Sequence, residues 1–190
     1  MITDYQLILA SNSPRRKQLL SGLDVKYEVK TLPDIDESYP DNIASEDVAQ
    51  YLACKKAEAY QKDISGNMLV ITADTVVILD NIIYGKPNNE TEAKQMLRNL
   101  SGKTHKVITG VCLTSANKQK AFSVHSDVRF SELEDDEIDY YVSKYKPFDK
   151  AGAYGIQEWI GYISVEYISG SYFNIMGLPI QRLYKELKQF

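Results

Sequence analysis

Leu7-Ile8-Leu9-Ala10-Ser11-Asn12-Ser13-Pro14-Arg15-Arg16-Lys17 is the stretch that decides the fold class. Its apolar start reads as a buried strand, and Ser13-Pro14 follows as a helix cap with proline at the first helical position. The helix is expected over residues 14–22, with Gly22 as its stop. A strand running straight into a helix opens an alternating chain, and the alternation continues.

Working outward, residues 26–29 read as a second strand, and the loop 33–37 is punctuated by proline and acids. Ser45 is expected to cap a helix over 46–60 that shows Val48, Leu52 and Ala59 on one face. Residues 68–71 and 76–79 read as one long bent strand or as two, with Asp74 at the bend. Asp80-Asn81 turns the chain into 82–84 as a hairpin. A helix over 91–100 stops at Gly102, and β segments over 107–113 and 121–130 flank a turn at Asn117. A helix is expected over 135–145. The glycine- and tyrosine-bearing stretch 146–177 is read around a strand at 160–167, and a last helix runs over 179–188. The pattern predicts an α/β fold with a mixed sheet. No repeat period is visible.

Composition narrows the function. In 190 residues, 22 Lys+Arg against 26 Asp+Glu give a net charge of −4, which excludes a nucleic-acid binder held by bulk positive charge. Any cationic site must be local. A chain of this length buries roughly 70% of its unfolded surface as one domain, residues 1–190, without disulfides or a structural metal. Cys54 and Cys112 form no C-x-x-C pair and no leader pattern is read, so a cytoplasmic address is expected. The apolar runs fall far short of the ~20 residues of a membrane span, so no membrane partner is expected.

Three cations, Arg15, Arg16 and Lys17, fall on the first helical turn, where the helix dipole already favours negative charge. They either splay into water or surround a bound anion. Backbone N–H groups, the serine hydroxyls and the guanidiniums would then converge on a phosphate, and the strand-to-helix setting favours this second reading. On the helix over 46–60, a step of about 100° per residue puts Lys56 on the apolar side with Leu52. Lys56 therefore either meets an anionic partner or snorkels, and Lys55, nearer the edge, is expected to snorkel. Asp74 follows an apolar run, so its carboxylate stands near the sheet interior or at a strand end. Glu37 could join it as a second oxygen ligand for Mg²⁺ or Mn²⁺. Singly, each acid reads as a turn or ion-pair residue; together with the cations they point to phosphate chemistry. Lys86, in Gly85-Lys86-Pro87, reads by position alone as a solvated lysine. His105 and His125 share no ligand spacing with each other or with the cysteines, which argues against zinc.

The blocks Leu9-Ala10-Ser11-Asn12-Ser13-Pro14-Arg15-Arg16, Asp36-Glu37, Lys56-Ala57, Ala73-Asp74-Thr75-Val76-Val77, Gly85-Lys86-Pro87, Ser101-Gly102-Lys103-Thr104-His105 and Lys150-Ala151-Gly152-Ala153-Tyr154-Gly155-Ile156-Gln157 occur in order along nearly the whole chain. In these the sequence resembles the Maf family of nucleoside triphosphate pyrophosphatases, of the same broad fold group as inosine triphosphatases. The resemblance implies an elongated mixed sheet flanked by helices, two lobes with a central cleft, and hydrolysis of a nucleoside triphosphate to monophosphate and pyrophosphate with a divalent cation. Asp74 matches the family's proton acceptor. Ser11, Arg16, Lys56 and Lys86 match its phosphate-binding residues, and Glu37 an acid near the metal. The residues that separate substrate classes match Arg15, Thr75 and Gln157, a combination similar to the dTTP/UTP group; the 7-methyl-GTP group carries tryptophan at the first position and an acid at the third. An amide at Gln157 offers a donor and an acceptor to the O4 and N3–H edge of uracil or thymine. Glu158 stands where many members have glycine, for which a shifted loop is expected. The resemblance further implies a homodimer. Its rivals are a nucleotide-binding regulator of septum formation without turnover, and a purine-directed pyrophosphatase.

Overall fold

In the computed structural model, which describes residues 3–190, the chain opens with strand β1 (Gln6–Leu9), helix α1 (Pro14–Ser21) and strand β2 (Tyr27–Val29). A 3-10 turn at Ser45–Asp47 leads into α2 (Val48–Tyr60), then β3 (Met68–Leu79), β4 (Ile82–Tyr84) and α3 (Glu90–Leu100). Strands β5 (Thr104–Thr114) and β6 (Gln119–Phe130) precede α4 (Asp135–Tyr145) and α5 (Trp159–Ser164). The chain closes with β7 (Val165–Ser169), α6 (Tyr172–Met176) and α7 (Ile180–Gln189). The strands form one mixed sheet in the order β2-β1-β3-β5-β6-β7, with β4 paired to β3.

The chain divides into two compact units, one made of the residues up to Thr75 with Thr109–Val124 and Gly177–Phe190, the other of Val76–Ile108 and His125–Met176. In the first, β1 lies parallel between β2 and β3, with Leu7 opposite both Tyr27 and Leu69. Leu7, Ile8 and Leu9 are all buried, as a parallel strand covered on both faces requires. Ile8 and Val70 pack with Tyr60 of α2, and Ala53 and Ala57 of α2 pack on Cys112 of β5. Gly110 makes this approach possible: a Cβ there would run into the main chain of Ala49 and Gln50. In the second unit β3 turns into β4 through Asp80 and Asn81, both left-handed at φ 52° and 62°, the turn that matches strand twist. There α3 packs on α4, and β7 runs antiparallel to β6.

Local signals account for most boundaries. Ser13 accepts the Arg16 N–H at the start of α1, and Asn89 caps α3 by accepting the Glu92 N–H. Glu134 and Glu137 form a reciprocal box at the start of α4.

Two expectations are corrected and one open alternative is decided. Ser45 does not cap α2: it opens the 3-10 turn, and the α-helix proper starts at Val48. Of the two readings of residues 68–79 the structure takes the single long strand, with Asp74 within it. The strand expected over 160–167 begins only at Val165, because residues 159–164 are helical. Glu158 accepts the Gly161 N–H, and Gly161 lies so close to the Ile156 carbonyl that a Cβ would not fit. These local contacts go with a helix in spite of the strand preference of Ile160 and Ile163. The short helix α6 had no signal in the periodicity.

Candidate active site

In the first unit, the turn between β1 and α1 holds Ser11, a buried residue whose Oγ accepts the Ser13 N–H at 3.2 Å. Arg15 and Arg16 follow on the first turn of α1, half-buried. The Arg16 guanidinium is held by two bonds within the protein: its Nε donates to the Gly177 carbonyl at 2.8 Å and its Nη2 to Thr75 Oγ1 at 3.1 Å. Gly177 takes φ 113°, a backbone conformation that side-chain-bearing residues rarely adopt. Thr75 Oγ1 in turn meets Thr109 Oγ1 at 2.9 Å. Withdrawal from water lowers the Arg16 pKa; the Asp74 carboxylate raises it, Arg15 lowers it and Glu37 raises it. Two acids and two guanidiniums thus act on one another across a short span.

Lys56 provides the link. Its side chain is 12% exposed, and its ammonium lies 2.5 Å from Asp74 Oδ1 and 2.8 Å from Glu37 Oε1. Of the two arrangements left open by its helical position, the structure takes the ion pair. Asp74 is buried in the middle of β3, where a carboxylate needs a charged partner. Glu37 comes from the acidic loop, which Lys55 holds to α2. The Lys55 ammonium donates to Asp36 Oδ2 at 2.7 Å, to the Ser38 carbonyl at 2.7 Å and to Ser38 Oγ at 2.9 Å. Asp36 accepts the Ser38 N–H at 2.9 Å, and the Lys55 hydrogen bond leads the contacts that hold its carboxyl down at about 2. The expectation that Lys55 simply snorkels missed this anchor. Asp36-x-Ser38 is a side-chain turn pattern that could have signalled it.

Lys86 and Gln157 belong to the second unit. Lys86 is exposed and follows Gly85, whose carbonyl accepts the Gly152 N–H at 3.1 Å. Gln157 is half-buried, and its Oε1 is buried without a hydrogen-bond partner. A buried acceptor left in that state is costly and is relieved by a ligand N–H.

No group of three or more His, Cys, Asp or Glu side chains among the described residues could hold a metal by itself. Glu37 and Asp74 nevertheless share one cation, the Lys56 ammonium. A pair of carboxylates suits Mg²⁺ or Mn²⁺, which keep several waters and take their other ligands from substrate phosphates. The residues therefore fit a divalent ion that arrives with a polyphosphate. Among the described residues no helix is long and apolar enough to cross a membrane.

A family model described as Maf-like protein matches residues 6–190. The chain is 63% identical to a dTTP/UTP pyrophosphatase of Phocaeicola vulgatus over 97% of its own length and 96% of that protein. It is 60% identical, with the same coverage, to a dTTP/UTP pyrophosphatase of Bacteroides thetaiotaomicron. Among solved structures it resembles a HAM1 protein from Coxiella burnetii with a TM-score of 0.54, covering 98% of this chain and all of that one at 12% identity. That last likeness concerns the fold alone.

Proposed function

The chain belongs to the Maf family, and from that premise we propose that it is a dTTP/UTP pyrophosphatase, hydrolysing either nucleotide to its monophosphate and pyrophosphate with a divalent cation. The observation that carries the reading is the meeting of Lys56 with Glu37 and Asp74 beside the Arg16 guanidinium, acids and cations drawn from four separate stretches of the chain. A pure anion binder gains nothing from carboxylates beside phosphate. Hydrolysis uses both signs of charge.

Glu37 and Asp74 would hold the cation, which when bound supplies charge neutralisation on the phosphoryl oxygens and a more acidic water. The Asp74 carboxylate accepts a proton from the water that attacks the α-phosphorus. The bond from that phosphorus to the bridging oxygen of the β-phosphate breaks, and pyrophosphate leaves with the electron pair. Arg16 and Lys56 stabilise the charge that grows on the departing group, and Ser11 with the first-turn N–H groups of α1 offers donors to phosphate oxygens. Lys86 supplies a further ammonium for the polyphosphate, and Arg15 and Thr75 help to select the substrate. Gln157 reads the base: its orphaned Oε1 accepts the N3–H of uracil or thymine, and its amide N–H₂ donates to O4.

The same reading includes a cytoplasmic address and a homodimer, for which Tyr162, Tyr167 and Phe173 offer exposed aromatic surface. Light scattering would read the mass. The deciding experiment incubates the protein with UTP, dTTP, CTP, GTP, ITP and 7-methyl-GTP plus Mn²⁺ and measures pyrophosphate. Release from UTP and dTTP above the others, lost on chelation, is expected. No release from any nucleotide leaves a binding protein, and preference for a purine overturns the role of Gln157.

A further inference from the structure

We propose that Tyr141, Lys150 and Glu158 form a positioning cluster that holds Gln157 in register for the base, so that discrimination of uracil and thymine from cytosine depends on side chains that touch no nucleotide. The inference rests on the reading of Gln157 as the base contact.

The cluster lies within the second unit and surrounds the segment Gly155-Ile156-Gln157-Glu158. Tyr141, a fully buried residue of α4, accepts the Gly155 N–H at 3.0 Å and donates its own hydroxyl proton to Glu158 Oε2. Burial, and then the bond to Glu158, raise the phenol pKa, which keeps Tyr141 a donor. The other oxygen of Glu158 lies 3.2 Å from the Lys150 ammonium, which is 9% exposed and also bonds Asp149 at 2.7 Å. The Glu158 N–H closes the turn on the Gly155 carbonyl at 2.9 Å. Its carboxyl lies against Gly155, where a Cβ would come within 2.8 Å of Glu158 Cδ. Gly161 then admits the Ile156 carbonyl. The residues on both sides of Gln157 are thus tied down, while its own Oε1 has no partner.

The tie matters because of what an amide can and cannot distinguish. Uracil and thymine present an acceptor at O4 and a donor at N3; cytosine presents a donor at N4 and an acceptor at N3. An amide turned half a circle matches cytosine as well as it matched uracil. Selectivity therefore requires a fixed approach, which a glutamine on a loose turn would not have. A carboxylate held by a buried tyrosine and a buried lysine fixes the main chain on both sides of Gln157, and with it the position and angle from which the amide meets the base.

The test measures kcat and KM for UTP and CTP with Mn²⁺ in the wild type, Tyr141→Phe, Glu158→Ala, Glu158→Gln and Gln157→Ala, and in Tyr141→Phe and Glu158→Ala combined with Gln157→Ala, with a thermal melt of each. Tyr141→Phe and Glu158→Ala are expected to lower the UTP-to-CTP ratio of kcat/KM about tenfold, mainly through KM for UTP. Glu158→Gln, which still accepts from Tyr141, retains most of the ratio. In the Gln157→Ala background neither change lowers the ratio further. An unchanged ratio in Tyr141→Phe and Glu158→Ala, where Gln157→Ala lowers it, overturns the cluster and spares the base-contact reading; so does an equal loss in both backgrounds. A Gln157→Ala protein with the wild-type ratio overturns the base-contact reading itself. Should Tyr141→Phe fail to fold, Glu158→Ala against Glu158→Gln decides the same question.

Discussion

Lys56 Nζ lies 2.5 Å from Asp74 Oδ1, although the two residues stand 18 positions apart on a helix and a strand. The same ammonium reaches Glu37. A cation that lies between two acids aims both at one point, the arrangement needed by a divalent ion.

Asp74→Asn keeps the shape of the side chain and removes its negative charge. Turnover of UTP should fall about 10²-fold or more, while titration calorimetry still detects nucleotide binding. Turnover near that of the wild type would take Asp74 out of the reaction.

Lys55→Ala releases the acidic loop without touching Asp74 or Lys56. With Asp36 and Ser38 no longer tied to α2, Glu37 loses its fixed approach, so the Mn²⁺ concentration for half-maximal activity should rise several-fold. The UTP-to-CTP ratio should stay as it was. A change confined to that ratio, with metal activation unaltered, contradicts the assigned role of the loop.

His105 is buried in the second unit, with its Nε2 2.7 Å from the Tyr154 hydroxyl, and burial lowers its pKa from 6.5 to about 4. The unfolded chain takes up the proton first as the pH falls, so the neutral ring stabilises the fold fully above about 6.5. That contribution is lost progressively between about 6.5 and 4, and amounts to a few kcal/mol at most, at about 1.4 kcal/mol per pH unit. Urea melts of His105→Gln and wild type should differ most in slope across that window. Parallel slopes would show that His105 titrates normally.

Gly110→Ala places a methyl group in the main chain of Ala49 and Gln50, where no flexible side chain can yield. The first unit should lose about 3 kcal/mol or more, seen as a lower urea midpoint. Gly66→Ala is the control, since no atom lies within 4 Å of its Cβ; its cost is only that of the left-handed backbone at φ 56°.

Short-range signals in the sequence determined the alternation of strands and helices, the start of α1 at Ser13-Pro14 and the Asp80-Asn81 hairpin. Each depends on residues a few positions apart, where caps, turns and periodicity act. The chemistry of Arg16, Lys56, Glu37 and Asp74 was legible too, as residue types that need partners of opposite charge. Only the tertiary structure decided which partners they have. Arg16 finds the Gly177 carbonyl 161 positions away, and Lys56 takes Glu37 with Asp74 while Lys55 takes Asp36. Residues 159–164 are helical where β-branched side chains suggested a strand, with the Ile156 carbonyl packed on Gly161 within the same short stretch. Side-chain partners distant in sequence are set by how the elements pack, and hydrophobic periodicity shows which face an element buries without naming what lies opposite it.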